Sequence, residues 1–353
     1  KSLNNMGNCC GPEQTNQLGK YETSGVPRNQ TDLDLNDPEL HDKAVKIQSH
    51  FRGMQVRKRQ TLNPYNTSNE TLPDNSIAVP IGSIPVELEN LRRRVDQKFG
   101  NFQYSQDPSS ISTLPTVGPL KYLNSGAIYH GQMKNGRRWG RGIQYWDDKS
   151  FYEGHWHDDR AHGRGRLAHG HGDVYEGEWK DDKACGMGTY THNDGARYVG
   201  LWENDKQHGQ GKETWEDGSV FEGTYVNGKK QGRGTFKWVD GSVYEGDFRD
   251  NYINGFGKYV WSDCRSYEGD WKFNKMDGKG VFTWSDGKKY KGGYLEDKKN
   301  GTGEFIWPNG KRFTGTWIGG KADGKGKYIL PNGDTKVGEW RDGKKVKEND
   351  EHL

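Results

Sequence analysis

A single spacing dominates this chain of 353 residues. From Tyr129 onward an aromatic residue returns every 23 positions, and each one is followed two residues later by glycine. The positions are Tyr129, Tyr152, Tyr175, Tyr198, Phe221, Tyr244, Tyr267, Tyr290 and Phe313. A tenth start at Lys336 keeps the glycine but lacks the ring. A short period without insertions indicates tandem structural repeats, each of which packs only on its neighbours.

Each repeat has the pattern of two β-strands. With the aromatic residue as offset 0, the first half reads aromatic-x-Gly-x-aromatic, as at Tyr175, Gly177 and Trp179. The second half reads Gly-x-Gly-x-aromatic-x-Trp, as in the segment that runs from Gly278 to Trp284. Alternate residues share one face of a strand, so rings and glycines are expected on the same face. Glu at offset 1 and basic residues at offsets 12 and 14 give the other face opposite charges that can pair.

The turn between repeats predicts a register. Pro308-Asn309-Gly310 is typical of a type I turn followed by a glycine bulge, and Asp-Gly takes that place in other repeats. The resulting three-residue loop pairs offset 17 with 21. It therefore sets offset 15 opposite the next aromatic residue and offset 11 opposite the next offset 4. The turn inside each repeat is short, but its register does not follow from the sequence.

We therefore predict an all-β repeat array over residues 118–345, a single elongated antiparallel meander of about 20 strands at a spacing of ~4.8 Å. An irregular N-terminal segment with two helices (1–117) precedes it, and a tail (346–353) follows. Nothing obvious in the sequence covers the ring face, which we expect to form a curved groove that binds a protein segment. The expected lining is Trp156, Trp179, Trp202, Trp215, Trp238, Trp261, Trp271, Trp284, Trp307 and Trp317.

The repeat resembles the MORN (membrane occupation and recognition nexus) family, whose signature is Tyr-x-Gly-x-Trp followed by Gly-x-Gly. The resemblance implies an elongated scaffold that binds protein segments at cytoskeletal or membrane-adjacent structures. Members of the family include radial-spoke-head proteins of cilia. By analogy with them we expect a cytoplasmic, cytoskeletal location in a ciliary axoneme, and partners within a larger cytoskeletal complex.

A second motif lies in the N-terminal segment. Asp37 and Pro38 are typical of a helix start, and a helix is expected over about residues 37–60. Inside it, six positions resemble an IQ motif: Ile47, Gln48, Phe51, Arg52, Gly53 and Arg57. The resemblance implies an EF-hand partner of the calmodulin or centrin type, held by apolar anchors and basic charge. The alternative is an amphipathic helix that packs on the array.

A second helix is predicted over about residues 85–99. Leu88, Leu91, Val95 and Phe99 fall on one stripe, and Gly100 follows as a stop. We expect this stripe to dock on the end or the groove of the array and to protect a strand edge. The alternative is a helix that binds a separate partner.

The first residues suggest a second function. Gly7, Cys9 and Cys10 follow Met6 in the order of a dual-acylation signal, which would tether the chain to the cytoplasmic face of a membrane. Five residues precede Met6, and Gly11 stands where Ser or Thr is preferred. The membrane tether is therefore kept as the alternative to the cytoskeletal scaffold.

Composition argues against several other classes. Lys and Arg number 52 against 49 Asp and Glu, which does not favour a general nucleic-acid binder. Four cysteines without a CxxC spacing argue against a disulfide framework or a zinc site. No run of 18 apolar residues and no secretory signal is visible. Near-equivalent repeats offer no unique cleft of reactive groups, so we expect no enzyme activity, cofactor or metal.

Overall fold

The computed structural model describes residues 78–105 and 112–349 of the chain. It has 22 β-strands in an antiparallel meander and one helix with both ends described, so the predicted all-β meander is confirmed. The contacts divide the chain into two compact units, one with β1–β12 and the helix, the other with β14–β22, while β13 is divided between them.

The first unit contains helix α1 (Val86–Phe99) and the strands β1 (Ala78–Pro80), β2 (Thr116–Tyr122), β3 (Ile128–Lys134), β4 (Arg137–Tyr145), β5 (Phe151–His157), β6 (Arg160–Ala168), β7 (Val174–Lys180), β8 (Lys183–Thr191), β9 (Arg197–Glu203), β10 (Lys206–Thr214), β11 (Val220–Val226) and β12 (Lys229–Lys237). The remaining strands are β13 (Val243–Arg249), β14 (Tyr252–Val260), β15 (Ser266–Lys272), β16 (Lys275–Thr283), β17 (Lys289–Leu295), β18 (Lys298–Ile306), β19 (Arg312–Ile318), β20 (Lys321–Ile329), β21 (Thr335–Arg341) and β22 (Lys344–Asn349).

The register predicted between repeats is confirmed. The residue at offset 17 pairs with the residue at offset 21, as the Trp146 amide shows by donating to the Ser150 carbonyl at 3.0 Å. Gly140 then stands opposite Trp156, and Gln144 stands opposite Tyr152. The glycine-bearing turn therefore fixes how each repeat meets the next one.

The turn inside each repeat has two residues. Asp158 and Asp159 both have positive φ, 51° and 67°, which is the type I′ conformation that suits a tight hairpin. His157 consequently pairs with Arg160. Asn, Asp and Gly tolerate this backbone best, and they fill most of these turns in the other repeats.

A β-bulge follows in the second strand. In the hairpin of β5 and β6, Gly154 pairs with Gly165, but Trp156 already pairs with Ala161, so the register shifts between them. Gly163, at offset 11, has a φ of 68° at the bulge. The extra residues let a second strand of nine residues pair with a first strand of seven while both keep their rings on one face.

Candidate interaction surfaces

Tyrosine rings lie flat over the glycines of their own hairpin. Tyr267 is fully buried, and a Cβ placed on Gly280 would come within 2.4 Å of its ring atoms. The Tyr267 hydroxyl donates to the Asp270 carbonyl at 3.0 Å. Burial raises the pKa of this phenol, so the ring stays neutral. The two paired glycines, here called slot glycines, therefore leave the space (the slot) in which the ring lies.

Indole rings join one repeat to the next. Trp179 meets the edge of Tyr175 in its own repeat at 5.1 Å between centroids, and that of Tyr152 in the preceding repeat at 5.3 Å. Its Nε1 donates to the Gly165 carbonyl at 3.2 Å. Edge-to-face geometry of this kind adds about 0.5–1.5 kcal/mol beyond burial for each pair. The ring face therefore supplies the cohesion between repeats.

The tryptophans expected to line an open groove are mostly buried. Nine of the ten expose 8% of their surface or less, and Trp261 is half-buried. Because the rings pack against one another, they form the hydrophobic core of each unit. The indoles therefore contribute little exposed surface to this face, and the binding of a protein segment there stays a prediction.

In some repeats a cationic side chain covers the buried rings. It stands at offset 9, opposite the aromatic residue at offset 4. The buried ammonium of Lys299 lies 4.4 Å from the centroid of the Trp317 ring. Lys230 lies 4.8 Å from the Trp215 centroid and forms a 2.7 Å ion pair with Glu213. Lysine stems bury well against rings, and the charge gains a cation–π contact. The equivalent position is a buried alanine in three repeats, at Ala161, Ala184 and Ala322.

Helix α1 packs on the other face of the sheet. Its stripe of Leu88, Leu91, Val95 and Phe99 covers an apolar cluster on β4–β7. The cluster consists of Ile143, Tyr145, Phe151, Ala168 and Val174. These residues stand at offsets 14, 16 and 22, which face away from the rings.

The predicted docking of this helix on the array's end or groove was therefore wrong in its location. In the next repeat the same offsets carry Thr189, Thr191 and Arg197. In the described strands, the face opposite the rings is charged along most of the array and carries an apolar cluster only at β4–β7. This explains why α1 packs there.

Ion pairs fix the helix on its apolar floor. The Arg92 guanidinium donates to both Glu153 carboxylate oxygens, at 2.8 and 3.1 Å. Burial raises the pKa of Glu153, although Arg92 opposes the shift. Arg166 is buried and pairs with Glu176 at 2.7 Å and with Asp96 at 3.1 Å. The predicted charge pairing across strands is thus present, and α1 is part of it.

Two other groups of predicted site residues lie outside the described part of the chain. They are the IQ positions Ile47, Gln48, Phe51, Arg52, Gly53 and Arg57 and the acylation positions Gly7, Cys9 and Cys10. The helix expected over about residues 37–60 lies outside it as well. These expectations therefore stay predictions.

A side-chain hydrogen bond joins neighbouring repeats at a position that was not predicted from the sequence. At offset 7, the Asp297 carboxylate accepts the amide of Met276 in the preceding repeat at 2.8 Å. The same bond recurs from Asp159, Asp182, Asp205, Asn251 and Asn274. The signal was available, because an Asx residue recurs at offset 7 with the period of the array.

A row of charge pairs along the hairpin turns was missed too. The basic residue at offset 8 meets the acidic residue at offset 6 of the next repeat. Lys229 pairs with Asp250 at 2.8 Å, and Lys321 pairs with Asp342 at 2.7 Å. Exposed pairs of this kind contribute about 0–1 kcal/mol each, so they guide the spacing of repeats more than they stabilise it.

Within residues 78–105 and 112–349, no three His, Cys, Asp or Glu side chains are grouped so that they could hold a metal ion. Cys185 and Cys264 form no disulfide within the described residues. No helix in the same residues combines the length and the apolar character that crossing a membrane requires.

The repeat pattern matches a known family model. The MORN repeat model fits nine segments that together make up more than half of the chain. The chain belongs to the MORN-repeat family. The segments are 129–151, 152–170, 175–197, 198–220, 221–243, 244–263, 267–289, 290–312 and 313–335. The IQ calmodulin-binding motif matches residues 41–60 of this MORN-repeat protein. Both are interaction modules, and β21 with β22 adds a tenth hairpin after the last matched repeat.

Solved structures resemble this MORN-repeat protein only distantly. The TCP10 domain of Danio rerio CPAP, in complex with a peptide of STIL, is 12% identical with a TM-score of 0.38, and the match covers 63% of this chain and 98% of that one. The TCP domain of Drosophila melanogaster SAS-4, in complex with a proline-rich motif of Ana2, is 10% identical with a TM-score of 0.30, covering 44% and 85%. No curated protein sequence matches the chain. Likeness at this level says nothing about partners.

Proposed function

We propose that this MORN-repeat protein is a non-enzymatic scaffold of a cytoskeletal assembly in the ciliary axoneme. Its array holds a protein segment, and its IQ segment recruits a calmodulin- or centrin-like subunit. The observation that carries the proposal is the combination of a MORN array with an IQ motif in one chain. Each module binds proteins, and together they can join an EF-hand subunit to a larger structure.

Packing supports a structural role for the array. Ring contacts and Asx hydrogen bonds join each repeat to its neighbours, so partners bound to adjacent repeats within one unit are held close together. Trp261 is the most exposed of the ten predicted groove residues, and we place the segment-binding contact on the ring face around it. The axonemal setting rests on the resemblance to radial-spoke-head proteins.

The IQ assignment is tested on the full chain. Ile47→Ala combined with Arg52→Ala removes one apolar anchor and one cation, and we expect capture of purified calmodulin and centrin to fall at least tenfold. Arg93→Ala is the matched control, because Arg93 is an exposed cation on α1 outside the motif. Retained capture by the double variant would show that the motif is not the EF-hand site.

The cytoskeletal setting is tested separately. Co-purification from the native source, identified by mass spectrometry, should return axonemal proteins that depend on the array. Recovery of membrane proteins alone, or of no cytoskeletal protein, would refute this part of the proposal while leaving the EF-hand result intact.

The membrane tether remains the second candidate, and the order Met6, Gly7, Cys9, Cys10 is what favours it. Protein translated from Met6 in an acylating cell extract should float with anionic vesicles, and Gly7→Ala should abolish flotation. Absence of flotation would remove the tether and favour the cytoskeletal scaffold.

A further inference from the structure

The hairpin turn after β15 carries an unusual residue. Phe273 stands at offset 6 with a φ of 49°, and it exposes 59% of its surface. A bulky side chain is disfavoured in this left-handed backbone. Every other repeat has a small or acidic residue there: Asn135, Asp158, Asp181, Asn204, Asn227, Asp250, Glu296, Gly319 and Asp342. A strained residue that also exposes a ring points to a contact outside the fold.

Two further apolar side chains continue along the same edge. Leu295 and Ile318 stand at offset 5, just before the next two turns, and expose 53% and 60% of their surface. The same offset is charged or His in most other repeats: Lys134, His157, Lys180, Glu203, Arg249, Lys272 and Arg341, with Val226 as the exception. Successive turns are two strands apart, roughly 9.6 Å. Three apolar groups thus form a row along three consecutive hairpins of one unit.

The charge pairs that run along the turns are interrupted at this row. Tyr252 and Phe273 replace one ion pair by an edge-to-face ring pair, with 5.6 Å between centroids. Lys275 still pairs with Glu296 at 3.7 Å. At Lys298 the position that should supply the acid is Gly319.

Two lysines along this row have no ion-pair partner among the described residues. Lys272 and Lys298 are exposed, and neither has a carboxylate within ion-pair distance in the part of the chain that the structure describes. The apolar row therefore carries positive charge that nothing in the array neutralises.

We infer that this turn row (Phe273, Leu295, Ile318, Lys272 and Lys298) binds an acidic amphipathic α-helix of a partner protein. A helix advances roughly 10.5 Å in seven residues, close to the roughly 9.6 Å between successive turns. Apolar residues one heptad apart can therefore contact three turns in succession, while flanking Asp or Glu residues neutralise the two free lysines. Apolar contact supplies affinity, and the charges select the partner.

The chain's own IQ segment does not fit this surface. Between Lys43 and Arg59 it has six basic residues and no acidic one, so its charge has the wrong sign. The inference is independent of the ring face and of EF-hand binding, and it adds a separate partner contact to the proposed scaffold.

Binding is tested with the full chain and a synthetic probe. The probe is a three-heptad helical peptide with one leucine stripe flanked by glutamates, and the control peptide has lysines in place of the glutamates. Fluorescence anisotropy should show binding of the acidic probe alone. Phe273→Asn with Leu295→His and Ile318→His should weaken it at least tenfold near pH 8, because each change installs a polar residue that another repeat carries at that offset without adding a cation.

Val226→His is the matched control, since Val226 also stands at offset 5 but lies outside the row, and it should leave the affinity unchanged. No binding of the acidic probe, equal binding of both peptides, or full binding to the triple variant would overturn the inference. Sedimentation adds a further criterion, because self-association lost in the triple variant would assign the row to a second copy of the chain.

Phe273→Asn alone separates binding from folding. Because Asn accepts the left-handed backbone, the unfolding midpoint should stay equal or rise. A lower midpoint would mean that Phe273 serves to hold the turn against Tyr252, and this would also overturn the inference.

Discussion

Substitution of a slot glycine tests whether rings and glycines form the cohesive core of the array. Gly280→Ala is the sharpest choice, because its Cβ would lie 2.4 Å from the Cε2, Cζ and hydroxyl oxygen atoms of Tyr267. The ring cannot move aside freely, since Trp271 meets it edge-to-face at 5.1 Å and Tyr294 does so at 5.1 Å. We therefore expect the ring to be displaced and the local hairpin to be destabilised.

The expected cost is the sum of two effects. Overpacking a filled site costs about 1–3 kcal/mol. Displacement of the ring also breaks the bond from its hydroxyl to Asp270, which contributes about 1 kcal/mol. Together they predict a loss of about 2–4 kcal/mol in the hairpin of β15 and β16. In a Tyr267→Ala background the slot is empty, so the same Gly280→Ala change should cost about 0.5 kcal/mol or less.

Hydrogen exchange of the full chain is the appropriate assay, because a repeat array can open one hairpin at a time and a single global unfolding free energy is then ill-defined. The opening free energy of the β15 and β16 amides should show a coupling of about 1.5–3.5 kcal/mol between the two substitutions. Gly301→Ala, whose Cβ would meet nothing within 4 Å, should add independently to Tyr267→Ala. Additivity of Gly280→Ala with Tyr267→Ala would refute the slot.

Three further substitutions probe the other contacts. Arg166→Met removes the buried guanidinium that joins Asp96 of α1 to Glu176, while Arg92 and Arg164 still pair with these half-buried carboxylates. The change should cost about 1.5–3 kcal/mol in docking, measured as faster exchange of the α1 amides. Asp297→Gly, which keeps the positive φ of this position, should cost the β16 amides about 1–2 kcal/mol of opening free energy in hydrogen exchange. The exposed Asp342→Gly, also at a positive φ, should cost ~0.5 kcal/mol or less. The hydrogen bond to Asp173 raises the pKa of His192. The stability that the protonated imidazole adds to the folded state is therefore complete below the pKa of the unfolded state, and it is lost as the pH rises through the pKa of the folded state. Protection factors of β8 should fall as the pH rises from about 6.5 through the raised pKa of His192, and His192→Gln should remove that dependence.

Local rules made part of the fold predictable. Alternation along a strand is fixed by the backbone, so Tyr175, Gly177 and Trp179 had to share a face. The loop at Pro308-Asn309-Gly310 constrains both of its strands, and this determined the register between repeats. The hairpin turn inside the repeat was less obvious, because Asp-Asp, Asn-Gly and Phe-Asn all adopt one backbone conformation there.

Packing of one element on another was harder to foresee. The stripe on residues 85–99 predicted a docked helix, but its location depends on Ile143, Tyr145 and Phe151, which break the polar pattern of one face over three positions. The burial of the tryptophans was missed for a similar reason. Sequence alternation shows which face a ring is on, but not that neighbouring rings and a cation such as Lys299 will cover it.

These two corrections together change where partner specificity should be sought. The aromatic residues that recur in every repeat hold the repeats together, because nearly all of them are buried against a neighbouring ring. Surface that differs from repeat to repeat is left for recognition. Helix α1 already shows this inside the chain, because it docks only where the charged face departs from its usual composition. Phe273, Leu295 and Ile318 are a departure of the same kind with no chain segment of the described residues upon them, and a second helix is the partner that their spacing and charge favour.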